Sequence, residues 1–178
     1  MRKWKKISSI QLFSHPRHNV FEDEVELPSG HKTKYLHFGE HEDASCVIAI
    51  GDDGKIFVQQ EYSYPPNEWL YQFPGGAFEK GDSPITCAER ELAEEASMAG
   101  DLVELGWYYK NNRRTSAKFY VFKASNLSKR HAQKDIEEDF VDHWFTHEEI
   151  NTMIVKGEIL NYSFLAAWAM YNAHLTNA

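Results

Sequence analysis

Three carboxylates, Glu91, Glu94 and Glu95, stand at i, i+3 and i+4 in a segment that reads as a helix, so they share one side of it. At that spacing and an effective dielectric near 20, each pair of charges repels by roughly 3 kcal/mol. A cleft wall that keeps all three charged wants a cation. Oxygen ligands suit hard divalent ions, and magnesium suits them best where substrate phosphates complete the shell, with manganese as a substitute. Taken alone, the same three residues also fit a solvated acidic face. Just upstream lies Pro74-Gly75-Gly76, a loop whose glycines let backbone approach a ligand closely. Arg90 lies four residues before Glu94 and can bridge to it.

The element that positions these groups is a helix starting at Ser83-Pro84, a serine N-cap followed by proline at the first helical position. Ile85, Ala88, Leu92, Ala96 and Ala99 fall on its other side and read as core-facing.

Loop plus helix, from Gly76 to Met98, resembles the Nudix box, G-x5-E-x7-R-E-U-x-E-E-x-G-U with U a bulky aliphatic residue. Gly76, Arg90, Glu91, Leu92, Glu94, Glu95 and Met98 match in register. Asp82 stands where the family has Glu: it keeps the charge but is one methylene shorter. Ser97 stands where the family has Gly, which implies a helix end capped differently from a glycine turn. The resemblance implies the Nudix fold, an α/β/α sandwich with a mixed sheet, over residues 45–178. It also implies metal-dependent hydrolysis of a nucleoside diphosphate linked to another moiety. Glu91, Glu94 and Glu95 would hold metal together with the Gly75 backbone carbonyl, Glu94 would serve catalysis directly, and Arg90 would hold the carboxylates in place.

Before residue 45 the chain reads as antiparallel strands over Trp4–Phe13, Asn19–Leu27 and Lys32–Phe38, separated by turn signals at His15-Pro16 and Pro28-Ser29-Gly30. Such a meander has too little apolar surface to stand alone, so the segment 1–44 must pack on the rest of the chain or on a second subunit. Val25–Gly30 resembles the N-terminal part of the ADP-ribose pyrophosphatase branch, where this segment builds a homodimer.

Ser45–Gly51 and Lys55–Gln60 read as paired strands across an Asp52-Asp53-Gly54 hairpin turn. An aromatic, proline-rich loop follows, in which Tyr62, Tyr64 and Trp69 are candidates to stack on a base or ring. In the ADP-ribose branch this region carries an arginine between aromatics and a Glu-Leu-Pro-Ala-Gly run; here Ser63 and Gln72–Gly76 take those places. Leu102–Tyr109 and Ser116–Ala124 alternate like strands. Between them Arg113 and Arg114 are candidates to grip a substrate phosphate with a guanidinium fork. Asn126–Lys134 reads as a polar loop. The acidic run that follows matches the place where the ADP-ribose branch keeps its general base; Glu138 fits it best, with Glu137 and Asp139 as alternatives. A Thr146–Glu149 capping box opens a short helix closed by Gly157, and a last helix runs from about Leu160 to Leu175 with Phe164, Leu165, Trp168 and Tyr171 on its apolar face.

The 178 residues suffice for one sizeable core, and a net charge of -8 argues against a nucleic-acid surface. Two isolated cysteines make neither a disulfide framework nor a zinc site and fit a reducing cytoplasm. No apolar run is long enough for a signal peptide or membrane span. The expected partner is a nucleotide small molecule, ADP-ribose or a nucleotide-sugar first. Dinucleotides, nucleoside triphosphates or a non-catalytic nucleotide sensor are the alternatives.

Overall fold

One strand divides the interior in two. β4 (Ala44–Ala49) is buried along its whole length, and side chains alternate from face to face of a strand. Cys46 and Ile48 enter one cluster, Val47 and Ala49 another. A run buried on both faces is what a strand inside a layered α/β fold requires. The computed structural model describes residues 2–16, 18–39, 42–132 and 139–176, which form two units.

The larger unit comprises Asp43–Tyr108 and Phe119–Ala178. Here β4 pairs in parallel with β9 (Lys118–Lys129) and antiparallel with β7 (Gly75–Ala77), and β8 (Met98–Tyr109) closes the sheet as order β7-β4-β9-β8. A second sheet has order β10-β5-β6, with β5 (Ile56–Ser63) between β10 (Phe140–Phe145) and β6 (Glu68–Gln72). Helix α1 (Pro84–Ala96) places Ala88 and Leu92 against Val47, Ala49, Phe57 and Phe122. On the opposite face, α2 (His147–Lys156) and α3 (Tyr162–Leu175) deliver Ile150, Met153, Phe164 and Trp168 to Ile48, Ile56, Val58 and Val121. This is the expected mixed α/β/α arrangement. Both caps at the start of α1 and α2 form as read, and Gly157 closes α2 at φ 73°.

The smaller unit comprises Met1–Glu42 and Tyr109–Lys118. Its antiparallel sheet has order β1-β2-β3, from Lys5–His15, His18–Glu26 and Lys32–Phe38. Every residue of β1 is exposed, Ile10, Leu12 and Phe13 included.

Four local expectations fail. The Asp52–Gly54 turn forms, but β4 and β5 share only an isolated Ile50–Ile56 bridge and then part into different sheets, because each finds full ladders elsewhere. The first half of the loop expected over Asn126–Lys134 is strand, because β9 continues to Lys129; residues 130–132 carry no helix or strand, and 133–134 lie outside the described residues. Ile85 is 43 % exposed rather than core-facing, and Ala99 lies beyond the helix in β8. Ser97 ends α1 in the left-handed conformation that glycine usually takes (φ 54°, ψ 37°), and its N–H reaches the Ala93 and Leu92 carbonyls. The missing glycine therefore changes the residue and leaves the turn.

Holding a non-glycine residue left-handed costs about 1–2 kcal/mol. Glycine gives back about 0.4–1 kcal/mol by loosening the unfolded chain. Relief wins, so Ser97→Gly should raise unfolding stability by about 0.5–1 kcal/mol in urea titrations; an unchanged or lowered midpoint contradicts the strain.

Candidate active site

The helix that carries the carboxylates is buried on that side as well. Glu91 and Glu95 are only 7 % and 4 % exposed, whereas Glu94 lies partly open. Burying two ionised groups is costly unless each is paired or hydrogen-bonded. Glu95 Oε2 accepts the Gly75 N–H at 2.9 Å. Glu91 Oε1 accepts from Arg90 Nη1 at 2.8 Å.

Glycine is required where the loop meets the helix. A Cβ on Gly76 would stand 2.3 Å from Glu91 Oε1, and one on Gly75 would stand 2.3 Å from the Ser45 carbonyl. At Gly75 the clash is with backbone and leaves no room; at Gly76 the Glu91 carboxylate lies directly against bare backbone and would have to swing away. The close approach seen at these glycines is to Glu91 and to the Ser45 carbonyl; approach to a ligand, as read from the sequence, belongs to the proposed function.

Arg90 gathers the rest. Its Nη1 also reaches Glu94 at 3.0 Å, and its Nη2 reaches Asp82 and the Ala77 carbonyl, each at 3.0 Å. Asp82, despite its shorter side chain, therefore makes the arginine contact, and its other bond accepts the Glu79 N–H at 2.9 Å. That backbone bond, opposed by slight burial and reinforced by Arg90, holds the Asp82 carboxyl below the usual carboxylate range. Burial works against charge on Arg90, but Asp82, Glu91 and Glu94 outweigh it and keep the guanidinium charged. Cys87 lies beside it; burial, then the Glu91 charge, pushes the thiol up to about 11, so it remains an S–H that donates to the Gly76 carbonyl at 3.5 Å.

The donor chemistry fits a hard divalent cation. Glu91 and Glu95 offer buried carboxylate oxygens beside the glycine backbone. Among the described residues no three His, Cys, Asp or Glu side chains converge into a ready cage. Magnesium does not need one, because it typically takes one or two carboxylates and fills its shell with water and phosphate oxygens.

The remaining expected residues are dispersed. Tyr64 is 82 % and Trp69 47 % exposed around the β5–β6 turn, where Tyr62 and Trp69 tilt together with centroids 6.1 Å apart. Arg113 and Arg114 belong to the smaller unit. Tyr35 Oη donates to the Arg113 carbonyl at 2.7 Å, and Arg114 Nη1 donates to the Leu36 carbonyl at 2.9 Å. They line a cavity of about 720 Å³ with Lys6, Phe21, Tyr35 and His37. Glu138 lies outside the described residues. Sequence reasoning missed two groups on β5. Glu61 has its carboxyl raised by burial, with a hydrogen bond from Gln72 opposing the shift. Gln59 is fully buried and bonds to the Glu95 carbonyl. The available signal was a pair of polar residues two apart, continuing the apolar start of a strand.

Known proteins bear on this geometry. Residues 40–167 match the profile of the NUDIX domain. An ADP-ribose pyrophosphatase of Bacillus subtilis (strain 168) is 31% identical over 136 residues, covering 76% of this chain and 73% of that protein. A methanol dehydrogenase activator of Bacillus methanolicus is 33% identical over 144 residues, covering 78% and 75%. An ADP-ribose pyrophosphatase of Mycobacterium tuberculosis (strain ATCC 25618 / H37Rv) is 25% identical over 169 residues, covering 89% and 78%. A crystal structure of ADP compounds hydrolase superposes with a TM-score of 0.91 over 99% of this chain and 96% of that one; at 18% identity this likeness concerns the fold.

Asp82 supplies a pH test. A carboxyl depressed by folding stabilises above its unfolded pKa, and that contribution disappears as pH falls through the lower folded value. Asp82→Asn should therefore melt below the wild type at pH 7. The gap should close as pH falls through and below the ordinary aspartate value of 3.8. A gap that persists unchanged in acid would remove the charge from the account.

Proposed function

The chain belongs to the Nudix hydrolase family, and from that premise we propose that it hydrolyses the pyrophosphate bond of ADP-ribose or a closely related nucleotide-sugar, with magnesium bound by Glu91 and Glu95. One observation carries this: two buried carboxylates held against the bare backbone of Gly75 and Gly76. The ADP-ribose pyrophosphatases among its relatives support the choice of substrate.

In this reading a water oxygen forms a bond to one phosphorus, the bond from that phosphorus to the bridging oxygen breaks, and AMP and ribose 5-phosphate leave. A bound divalent ion supplies charge neutralisation on the phosphate oxygens and a more acidic water. Glu91 and Glu95 would hold it with the Gly75 carbonyl. Glu94, more open than either, would complete the set from the Arg90 side. Arg90 keeps these carboxylates oriented. The proton from water passes to the acidic run, with Glu138 assigned by resemblance. Arg113 or Arg114 grips a phosphate, and Tyr64 or Trp69 stacks on a ring.

The segment 1–44 serves packing or homodimerisation, which the exposed apolar side chains of β1 favour. A cytoplasmic setting fits two free cysteines. No helix among the described residues is long and apolar enough to cross a membrane. A second reading keeps the chemistry and changes the substrate to a dinucleotide or nucleoside triphosphate. The Pro74-Gly75-Gly76 entry and Ser63 favour it, standing where the ADP-ribose branch has Pro-Ala-Gly and an arginine.

Incubation with ADP-ribose and magnesium, followed by chromatography of products, should yield AMP and ribose 5-phosphate. Glu95→Gln should lower turnover at least about a hundredfold, as expected for loss of a metal ligand. Near-normal turnover in that variant takes Glu95 out of the mechanism. Absence of magnesium or manganese uptake in calorimetry, with or without nucleotide, refutes the reading itself.

A further inference from the structure

Gln59 is a fully buried amide on β5, in a position where an aliphatic residue would continue the run Ile56-Phe57-Val58. Its Nε2 donates to the Glu95 carbonyl and to Asp142 Oδ1, both at 3.3 Å. Its Oε1 has no partner among the described residues. The balance for stability is close to nil, because the two bonds made are offset by one buried acceptor left unpaired. What the amide fixes is position.

The position concerned is that of Glu95. Its carbonyl lies in the last turn of α1, where helix carbonyls lack partners along the helix. Gln59 caps that carbonyl from the sheet, while Gly75 N–H holds the carboxylate of the same residue at 2.9 Å. Glu95 is thus tied at both its backbone and its tip. The second N–H of Gln59 carries the tie to Asp142 on β10, directly opposite in register.

We propose that Gln59 is a positioning residue for the hydrolysis. Its amide couples the end of α1 to β10 and so sets the reach of the Glu95 carboxylate toward the metal. This rests on the reading of Glu95 as a metal ligand. Loss of a group that orients a metal ligand typically weakens metal affinity about 10–100-fold.

The test uses Gln59→Met, which keeps volume and removes the amide, with Asp142→Ala and the double variant. Manganese binding is measured by calorimetry without substrate, alongside the magnesium dependence of ADP-ribose turnover and thermal unfolding. Gln59→Met should bind manganese about tenfold more weakly and need about tenfold more magnesium for half-maximal rate. KM for ADP-ribose at saturating metal should stay within about twofold, and the unfolding midpoint within about 4 °C. Asp142→Ala should weaken manganese binding about threefold and add nothing in the double variant, since the shared bond is already gone. Wild-type metal affinity in Gln59→Met, or full additivity in the double variant, overturns the proposal. If Gln59→Met fails to fold, the Asp142→Ala shift decides alone. A wild-type protein that takes up no manganese refutes the metal reading of Glu95; a wild type that binds it beside an unaltered Gln59→Met refutes only the role of Gln59.

Discussion

A single guanidinium facing an excess of negative charge underlies the architecture of the site. Arg90 contacts Asp82, Glu91 and Glu94, with Glu95 one helical turn beyond Glu91. Without it the carboxylates would repel one another inside a wall that excludes water, where Coulomb energies are several times those at the surface. With it they stand in one geometry and still retain surplus negative charge. The arginine organises the cluster without neutralising it, as the proposed cation site requires.

The scaffold behind that cluster separates two cores with one strand. Because β4 alternates strictly, the packing under α1 and the packing under α2 and α3 are different sets of side chains. Glycines 75 and 76 pair with the start of the same strand, so the loop that touches Glu91 is itself part of a ladder. The chemistry is therefore borne by secondary structure on both sides: helix for the carboxylates, sheet for the backbone they meet.

Much of this was legible from residue types. Capping residues, fixed spacing and glycines at a point of close approach are local signals, and they located the helix, its start and its carboxylate side. The failures were of a different kind. The parting of β4 and β5 depends on which distant strand each pairs with, and a hairpin signal contains nothing about that. Ser97 illustrates how tertiary context overrides propensity: the chain takes the left-handed turn although no glycine is present to favour it. The alternation of Gln59 and Glu61 after an apolar start marks polar residues on β5, but nothing in it names a partner; the contact of Gln59 with the Glu95 carbonyl depends on how the strand meets the end of α1.

The parallel pairing of β4 with β9, Ala44 beside Phe119, has a consequence for biosynthesis. A central strand whose neighbour lies so far along the chain cannot be sheltered early, since long-range pairing must wait for the loop between to close. During translation β4, buried along its whole length in the fold, leaves the ribosome well before its partner exists. Until β9 emerges, a segment destined for burial on both faces stands without its cover, the kind of exposure that favours self-association in nascent chains.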